Sequence, residues 1–305
     1  MRSTPARYAP RVRESDLLRH IQTRSTLGEG VLVGPGDDCA VVVGTSHQLL
    51  KVDQLVEHRH YRAGTPIDLI ARKALARPLS DIAAMAGRPR YALAAATLPA
   101  GYPHARELFD AVHGWGERFG CPVVGGDIAT HDGPLILSIS IIGVAHAARG
   151  PVLRRGAKSG DDLFVTGSLG GSFDAATGLG RHLTFTPRLD EAAHLADVLG
   201  HDLHAMMDLS DGLGIDAGRL AESSGVRVII ERRRIPLSPG ITDPSQALQD
   251  GEDYELLFTA PPGALPDSGV LPTGCPFARI GRIEIGAGAT DETGQDIAAI
   301  GWDHR

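Results

Sequence analysis

Seven aspartates stand in short turns, most of them carrying glycine or serine, at Gly36-Asp37-Asp38, Val52-Asp53, Ser80-Asp81, Gly126-Asp127 and Asp208-Leu209-Ser210-Asp211. Most of these turns adjoin apolar runs, and an ionised carboxylate buried without a partner costs many kcal/mol. A fold that gathers such groups must bring cations to the same place. Hard divalent ions, Mg²⁺ above all, take oxygen ligands, and Mg²⁺ at carboxylates commonly carries a nucleotide phosphate. Singly, each aspartate reads as a helix or turn cap. Together, Gly-Asp-Asp, Gly-Gly-Asp and Asp-x-Ser-Asp-Gly share one style of acidic loop and point to phosphoryl transfer.

At 305 residues the chain fits about two domains of roughly 150 residues each. The turn-rich segment His146-Ala147-Ala148-Arg149-Gly150-Pro151 is the expected junction, dividing the chain into 1–148 and 149–305. A net charge of -7 argues against a nucleic-acid partner, which needs a basic surface. No apolar run is long enough to cross a bilayer, so no membrane role is expected. Cys39, Cys121 and Cys275 are few, scattered and without a C-x-x-C pair, which sets aside a disulfide framework or zinc ribbon and suggests a reducing cytoplasm. Met1 to Arg24 is arginine-rich but lacks the apolar core of a secretory signal; Glu14, Asp16, Leu17, Leu18 and Ile21 suggest a short amphipathic helix.

Hydropathy patterning predicts a mixed α/β (α+β) fold. Strands are expected at 31–33, 39–43, 48–52 and 91–98, with a turn at Gly44-Thr45-Ser46 and a helix over 105–119 ended by Gly120. Apolar spacing from Pro66 to Ala86 predicts a helix broken at Pro78, with Asp81 just past the break. Val123 to Asp127 reads as a strand entering a turn, and the β-branched run 135–142 as a strand. The second half is expected to place strands at 163–166, 226–230, 254–259 and 277–285 in a small sheet. Asp208 to Gly212 should open a helix whose first amides face an anion.

The glycine cluster 167–172 lacks the Gly-Lys-Ser/Thr ending of a P-loop, and no G-x-G-x-x-G opens a helix. His58-Arg59-His60 lacks the further His or Cys of a soft-metal site and fits better as an anion contact. Arg154 and Arg155 could clamp a phosphate or form an exposed charge pair. Trp302 could stack on a flat ring or cover an apolar edge.

The ordered set of motifs resembles the thiamine-monophosphate kinase family, within the superfamily of aminoimidazole ribonucleotide synthetase, selenophosphate synthetase and a hydrogenase maturation protein. The resemblance runs through Gly36-Asp37-Asp38-Cys39-Ala40, Asp53-Gln54-Leu55-Val56-Glu57, Lys73-Ala74-Leu75-Ala76, Leu79-Ser80-Asp81 and Gly125-Gly126-Asp127. It continues through Arg154, Asp208-Leu209-Ser210-Asp211-Gly212, Gly251-Glu252-Asp253-Tyr254 and Gly301-Trp302-Asp303-His304. It implies the two-domain fold of aminoimidazole ribonucleotide synthetase and transfer of a phosphoryl group from ATP to thiamine monophosphate. It further implies several Mg²⁺ ions at Asp38, Asp53, Asp81, Asp127, Asp208 and Asp211, and ATP at Gly126, Asp127, Arg154 and Ser210. Thiamine monophosphate would meet His60, Glu252 and Trp302, with Asp127, Arg154 and Asp211 closest to the chemistry. A homodimer built from N-terminal domains is also implied. The chain departs from the family pattern at Lys51-Val52, where Ser-Thr is usual, and at Gln54, His58 and Arg77-Pro78. A sister enzyme with another small acceptor, or a nucleotide-binding regulator without catalysis, are the alternatives these departures leave open.

Overall fold

A computed structural model describes residues 31–33, 36–44 and 47–302. The expected helix near the N-terminus, the centre of the turn at 44–46, and Asp303 and His304 lie outside these residues. Six strands form the first sheet: β1 (Val31–Val33), β2 (Ala40–Val42), β3 (Gln48–Val56), β4 (Arg88–Pro99), β5 (Val123–His131) and β6 (Ile136–Val144), in the order β1-β2-β3-β6-β4-β5. Along β3, Leu49, Lys51, Asp53 and Leu55 turn inward, while Leu50, Val52 and Gln54 turn outward and are exposed. This is the two-residue period of a sheet with one covered face.

The covering layer is α1 (Ile67–Ala84) and α2 (Ala105–Arg118). The helix α1 runs unbroken through Pro78, contrary to the expectation of a break there. A proline inside a helix removes one hydrogen bond and costs about 3 kcal/mol. Burial compensates, because α1 is packed against α2 and the first sheet on one side and the C-terminal half on the other. Residues from Ile70 to Ala84 are buried almost all the way round. The glycines 125 and 126 also differ from expectation, since they lie within β5 rather than in a turn after it. A side chain at Gly126 would overlap the Ala94 carbonyl of the neighbouring parallel strand, so glycine lets the two backbones approach.

The second sheet has seven strands: β7 (Asp162–Thr166), β8 (Ala205–Asp208), β9 (Arg227–Ile230), β10 (Leu256–Ala260), β11 (Ser268–Val270), β12 (Pro276–Glu284) and β13 (Gly288–Asp291). Their order is β13-β9-β12-β7-β10-β8, with β11 on β12, which is larger than the small sheet expected. The helices α3 (Arg181–Thr184), α4 (Leu189–Leu199), α5 (Leu213–Ser224) and α6 (Pro244–Gln249) complete this half. Alternate residues of β7 and β10 feed two cores: Leu163, Val165 and Leu257 pack with α5, and Phe164 and Phe258 pack with α4 and the end of α1. No helix among the described residues is long and apolar enough to cross a membrane.

Candidate active site

Lys73, Arg77 and Asp81 recur at intervals of four along α1 and so form one polar stripe, about 12 Å long at 1.5 Å per residue. Each of the three meets a different group of partners. At the Asp81 end, carboxylate oxygens of Asp38, Asp81 and Asp208 lie within 4.8 Å of one another. Asp38 comes from the loop before β2, Asp81 from α1 and Asp208 from the end of β8, so both halves of the molecule contribute. Ser80 Oγ donates to Asp208 Oδ2 at 2.7 Å, and Arg154 Nη2 donates to Asp38 Oδ1 at 2.6 Å. Lys51 Nζ, reaching in from β3, lies 2.8 Å from Asp81 Oδ1 and 3.6 Å from Asp53 Oδ1.

This end is short of positive charge. Burial, aided by Asp38, pushes the Asp208 carboxyl up to about 7, and burial raises Asp81 well above the carboxylate range although Lys51 opposes it. Burial and the neighbouring Asp38 likewise push Asp37 up to about 6. Burial would strip the Lys51 ammonium of its proton, but Asp81 and Asp53 outweigh it and hold the pKa above the usual lysine value. Among the described residues, Asp38 Oδ2 is buried with no hydrogen-bond partner. An orphaned carboxylate oxygen within a three-carboxylate group is the arrangement a hard divalent cation satisfies.

In the middle of the stripe, Arg77 donates to the Gln54 carbonyl at 2.7 Å and to Tyr254 Oη at 3.0 Å, and lies 4.0 Å from Asp53 Oδ2. At the far end the Lys73 ammonium is fully buried and reaches Glu252 Oε1 at 2.5 Å, the His60 carbonyl at 2.7 Å and His182 Nδ1 at 2.8 Å. Burial lowers the Lys73 pKa to about 8 in spite of Glu252. Burial acts to raise Glu252, but Lys73 and His182 overcome it and bring the carboxyl down to about 2. Glu252 and Tyr254 both have left-handed backbones, with φ of 63° and 52°. Hydrogen bonds from Glu252 N to Ser210 O and from Tyr254 N to Leu209 O hold this turn against the Asp208–Asp211 loop. Trp302 N in turn donates to Asp211 O, bringing the last described residue to the same place.

The structure thus brings Asp38, Asp81 and Asp208 into one group and joins Asp53 to it through Lys51. His60 and Glu252 meet at Lys73, and Arg154 meets Asp38. Asp211 and Ser210 lie close by but are engaged: Asp211 pairs with Arg219, and the Ser210 and Asp211 amides donate to Asp216 Oδ2. The amides expected to face an anion are therefore already satisfied by a carboxylate. Gly126 and Asp127 stand apart, exposed on the edge strand β5, and Asp127 is not part of the carboxylate group. Trp302 is 54% exposed.

Lys73, Arg77, His182, Asp216 and Arg219 are contacts to which sequence reasoning assigned no role, whereas Lys51, as a departure from the family pattern, already points to fewer ions or a lysine charge in place of one. The available signal was the charged stripe within an otherwise apolar helix, since Lys73 and Arg77 fall among alanines and leucines on buried turns.

Two family models match the chain: AIR synthase related protein, N-terminal domain, over residues 36–145, and AIR synthase related protein, C-terminal domain, over residues 156–284. A thiamine-monophosphate kinase of Rhodopirellula baltica is 35% identical over 291 residues, covering 88% of this chain and 89% of the relative. That of Escherichia coli K12 is 35% identical over 311 residues, covering 91% and 88%. The solved structure of AaThiL complexed with AMPPCP and TMP superposes with a TM-score of 0.82 at 29% identity, covering 98% of this chain and 100% of that one.

Proposed function

The chain belongs to the thiamine-monophosphate kinase family, and from that premise we propose that it transfers the γ-phosphoryl group of ATP directly to the phosphate of thiamine monophosphate, releasing thiamine diphosphate and ADP. The observation that carries this reading is the Asp38–Asp81–Asp208 group with its orphaned Asp38 oxygen, set where the two halves meet. The neighbour complexed with AMPPCP and TMP supplies the pair of ligands. The acceptor phosphate is already an anionic nucleophile, so alignment of two repelling anions is the main task and no general base is needed.

Asp38, Asp81 and Asp208 would hold Mg²⁺, which when bound supplies counter-charge to the phosphoryl oxygens. Arg154 is suited to the same task, because its Nε is buried without a hydrogen-bond partner among the described residues while Nη2 is held by Asp38. A phosphate oxygen would satisfy that N–H. Gly126 and Asp127 on the edge strand and Ser210 beside Asp211 line the nucleotide side in this reading, with further ions at Asp127 and Asp211. At the other end, Lys73 fixes Glu252 and the His60 carbonyl together, and the exposed Trp302 ring offers a face for a flat heterocycle.

The outer face of the first sheet supports a homodimer. Leu50, Ile142 and Tyr91 form one exposed row across β3, β6 and β4, and Val52 and Leu93 flank Ser140 in the next. A second copy of the chain would bury such a patch. A cytoplasmic location suits an enzyme that consumes ATP and whose three cysteines are free thiols.

The test is conversion of thiamine monophosphate to thiamine diphosphate with Mg²⁺ and ATP, set against thiamine, hydroxymethylpyrimidine phosphate and aminoimidazole precursors. Thiamine diphosphate should form in preference to any other product, and Asp208→Asn should lower turnover roughly 10²–10³-fold while the circular dichroism spectrum is unchanged. Asp127→Asn should abolish turnover in the same way. ADP release with a different acceptor, or full activity in either variant, would overturn the assignment.

A further inference from the structure

Among the described residues, the Lys51 ammonium is held by the acidic end of the α1 stripe. On β3 it lies on the inward face, between Leu49 and Asp53, and its side chain keeps 20% of its surface exposed. Its Nζ lies 2.8 Å from one Asp81 oxygen and 3.6 Å from one Asp53 oxygen. The second Asp53 oxygen faces Arg77 Nε at 4.0 Å. Both oxygens of Asp53 are therefore turned toward fixed positive side chains, and Asp53 is not part of the carboxylate group that could hold an ion.

A divalent ion such as Mg²⁺ would sit about 2 Å from any carboxylate oxygen it bound. On Asp81 Oδ1 it would press against the Lys51 ammonium, with like charges a few ångströms apart. The neighbouring Val52 side chain carries no oxygen and points to the opposite, exposed face of the sheet. Lys51, Arg77 and Arg154 bring three fixed positive charges to the carboxyls of Asp37, Asp38, Asp53, Asp81 and Asp208. The open coordination is at Asp38 Oδ2, which among the described residues has no hydrogen-bond partner.

We propose that the Lys51 ammonium is a resident cation of this site, tying Asp53 to Asp81 in the place of a divalent ion, so that the chain binds one ion fewer than it would with an uncharged residue at position 51. The proposal rests on reading the Asp38–Asp81–Asp208 group as a divalent-ion site. A lysine offers a point charge with three donors and no requirement for octahedral ligands, so it can bridge two carboxylates that a strand and a helix hold at fixed spacing. It also makes this part of the site independent of the free metal concentration.

The experiment counts Mn²⁺ bound to the full-length protein with the non-hydrolysable analogue AMPPCP, from the loss of the free-ion electron paramagnetic resonance signal. Lys51→Ser should bind one more Mn²⁺ per protomer than the wild type, and Lys51→Arg the same number as the wild type. An equal count in wild type and Lys51→Ser overturns the proposal. Asp53→Asn, read independently in the wild-type background, should leave the count unchanged; a fall of one ion shows that Asp53 is a metal ligand and overturns it equally. The count needs no acceptor, so it separates the two conclusions. Failure to phosphorylate thiamine monophosphate leaves the Lys51 result standing, and an unchanged count alongside thiamine diphosphate formation removes only the role of Lys51.

Discussion

The two sheets of this molecule solve the same problem differently. In the C-terminal sheet, β7, β8 and β10 are buried on both faces, with Phe164 stacked on Phe258 at 5.3 Å on one side and Leu163, Val165 and Leu257 on the other. In the N-terminal sheet only one face is covered, and Leu50, Val52, Tyr91, Leu93 and Ile142 remain exposed on the other. A sheet closed on both sides carries its own stability. A sheet closed on one side has apolar area left for association, and its open face can be altered without unfolding the protomer.

The largest expected effect breaks the closed sheet. Phe164→Ala should cost about 3–5 kcal/mol, because the ring is fully buried among Phe258, Phe277 and helix α4 and its removal leaves a cavity. Leu93→Ala on the open face should change the stability of the isolated protomer by less than about 0.5 kcal/mol. Urea denaturation at low protein concentration measures both. Equal losses would show that the open face is as well packed as the closed one and would end the contrast.

The seam between the sheets comes next. Lys73→Met removes the buried ammonium that joins α1 to Glu252 and leaves that partly buried carboxylate with His182 as its remaining ion-pair partner, so the loss should be about 2–3 kcal/mol. The double change Lys73→Met with Glu252→Gln should recover most of that loss, since neither charge then remains. If the two single losses simply add, the pair is not coupled and the halves are held by packing alone.

The contrast between the sheets was only partly legible in the sequence. The β-branched run 135–142 pointed to a strand because strand preference depends on local composition, and the chain length with the turn-rich segment 146–151 pointed to two halves. The unbroken helix through Pro78 was not legible, since its cause is burial by elements distant in the chain. The order of motifs led to the carboxylate group at Asp38, Asp81 and Asp208. It did not reveal that Asp127 is outside that group on β5, which follows from strand register, nor that Lys73 and Arg77 bind carboxylates, which follows from long-range packing. Charges inside an apolar helical period were the one local clue to the seam.

On the open face, Leu93→Glu places a charge within the exposed rows, beside Ser140. It should weaken self-association about a hundredfold, near 3 kcal/mol, while the protomer keeps its unfolding midpoint at low concentration. Sedimentation equilibrium reads the first and urea denaturation the second. A wild type that stays monomeric, or self-association that the substitution leaves unchanged, would overturn the proposed homodimer through this face.

The smallest effect isolates the seam from both sheets by acid. The folded Glu252 carboxyl titrates near 2 against an ordinary 4.5, so the folded state binds its proton less readily than the unfolded chain. The stability this confers is complete above about pH 4.5 and is lost as the pH falls toward 2, because the unfolded state takes up the proton first. Lys73, near 8, stays protonated throughout that window and adds no slope. The stability difference between wild type and the Lys73→Met, Glu252→Gln double variant should therefore be constant from pH 7 to pH 5 and shift against the wild type by about 1 kcal/mol by pH 3.5. Both proteins share the two sheets and their other carboxylates, so the common acid response cancels in the difference. A difference that stays flat to pH 3.5 would mean that Glu252 is not held by Lys73 and His182 in solution, and the seam would then owe its strength to α1 packing rather than to charge.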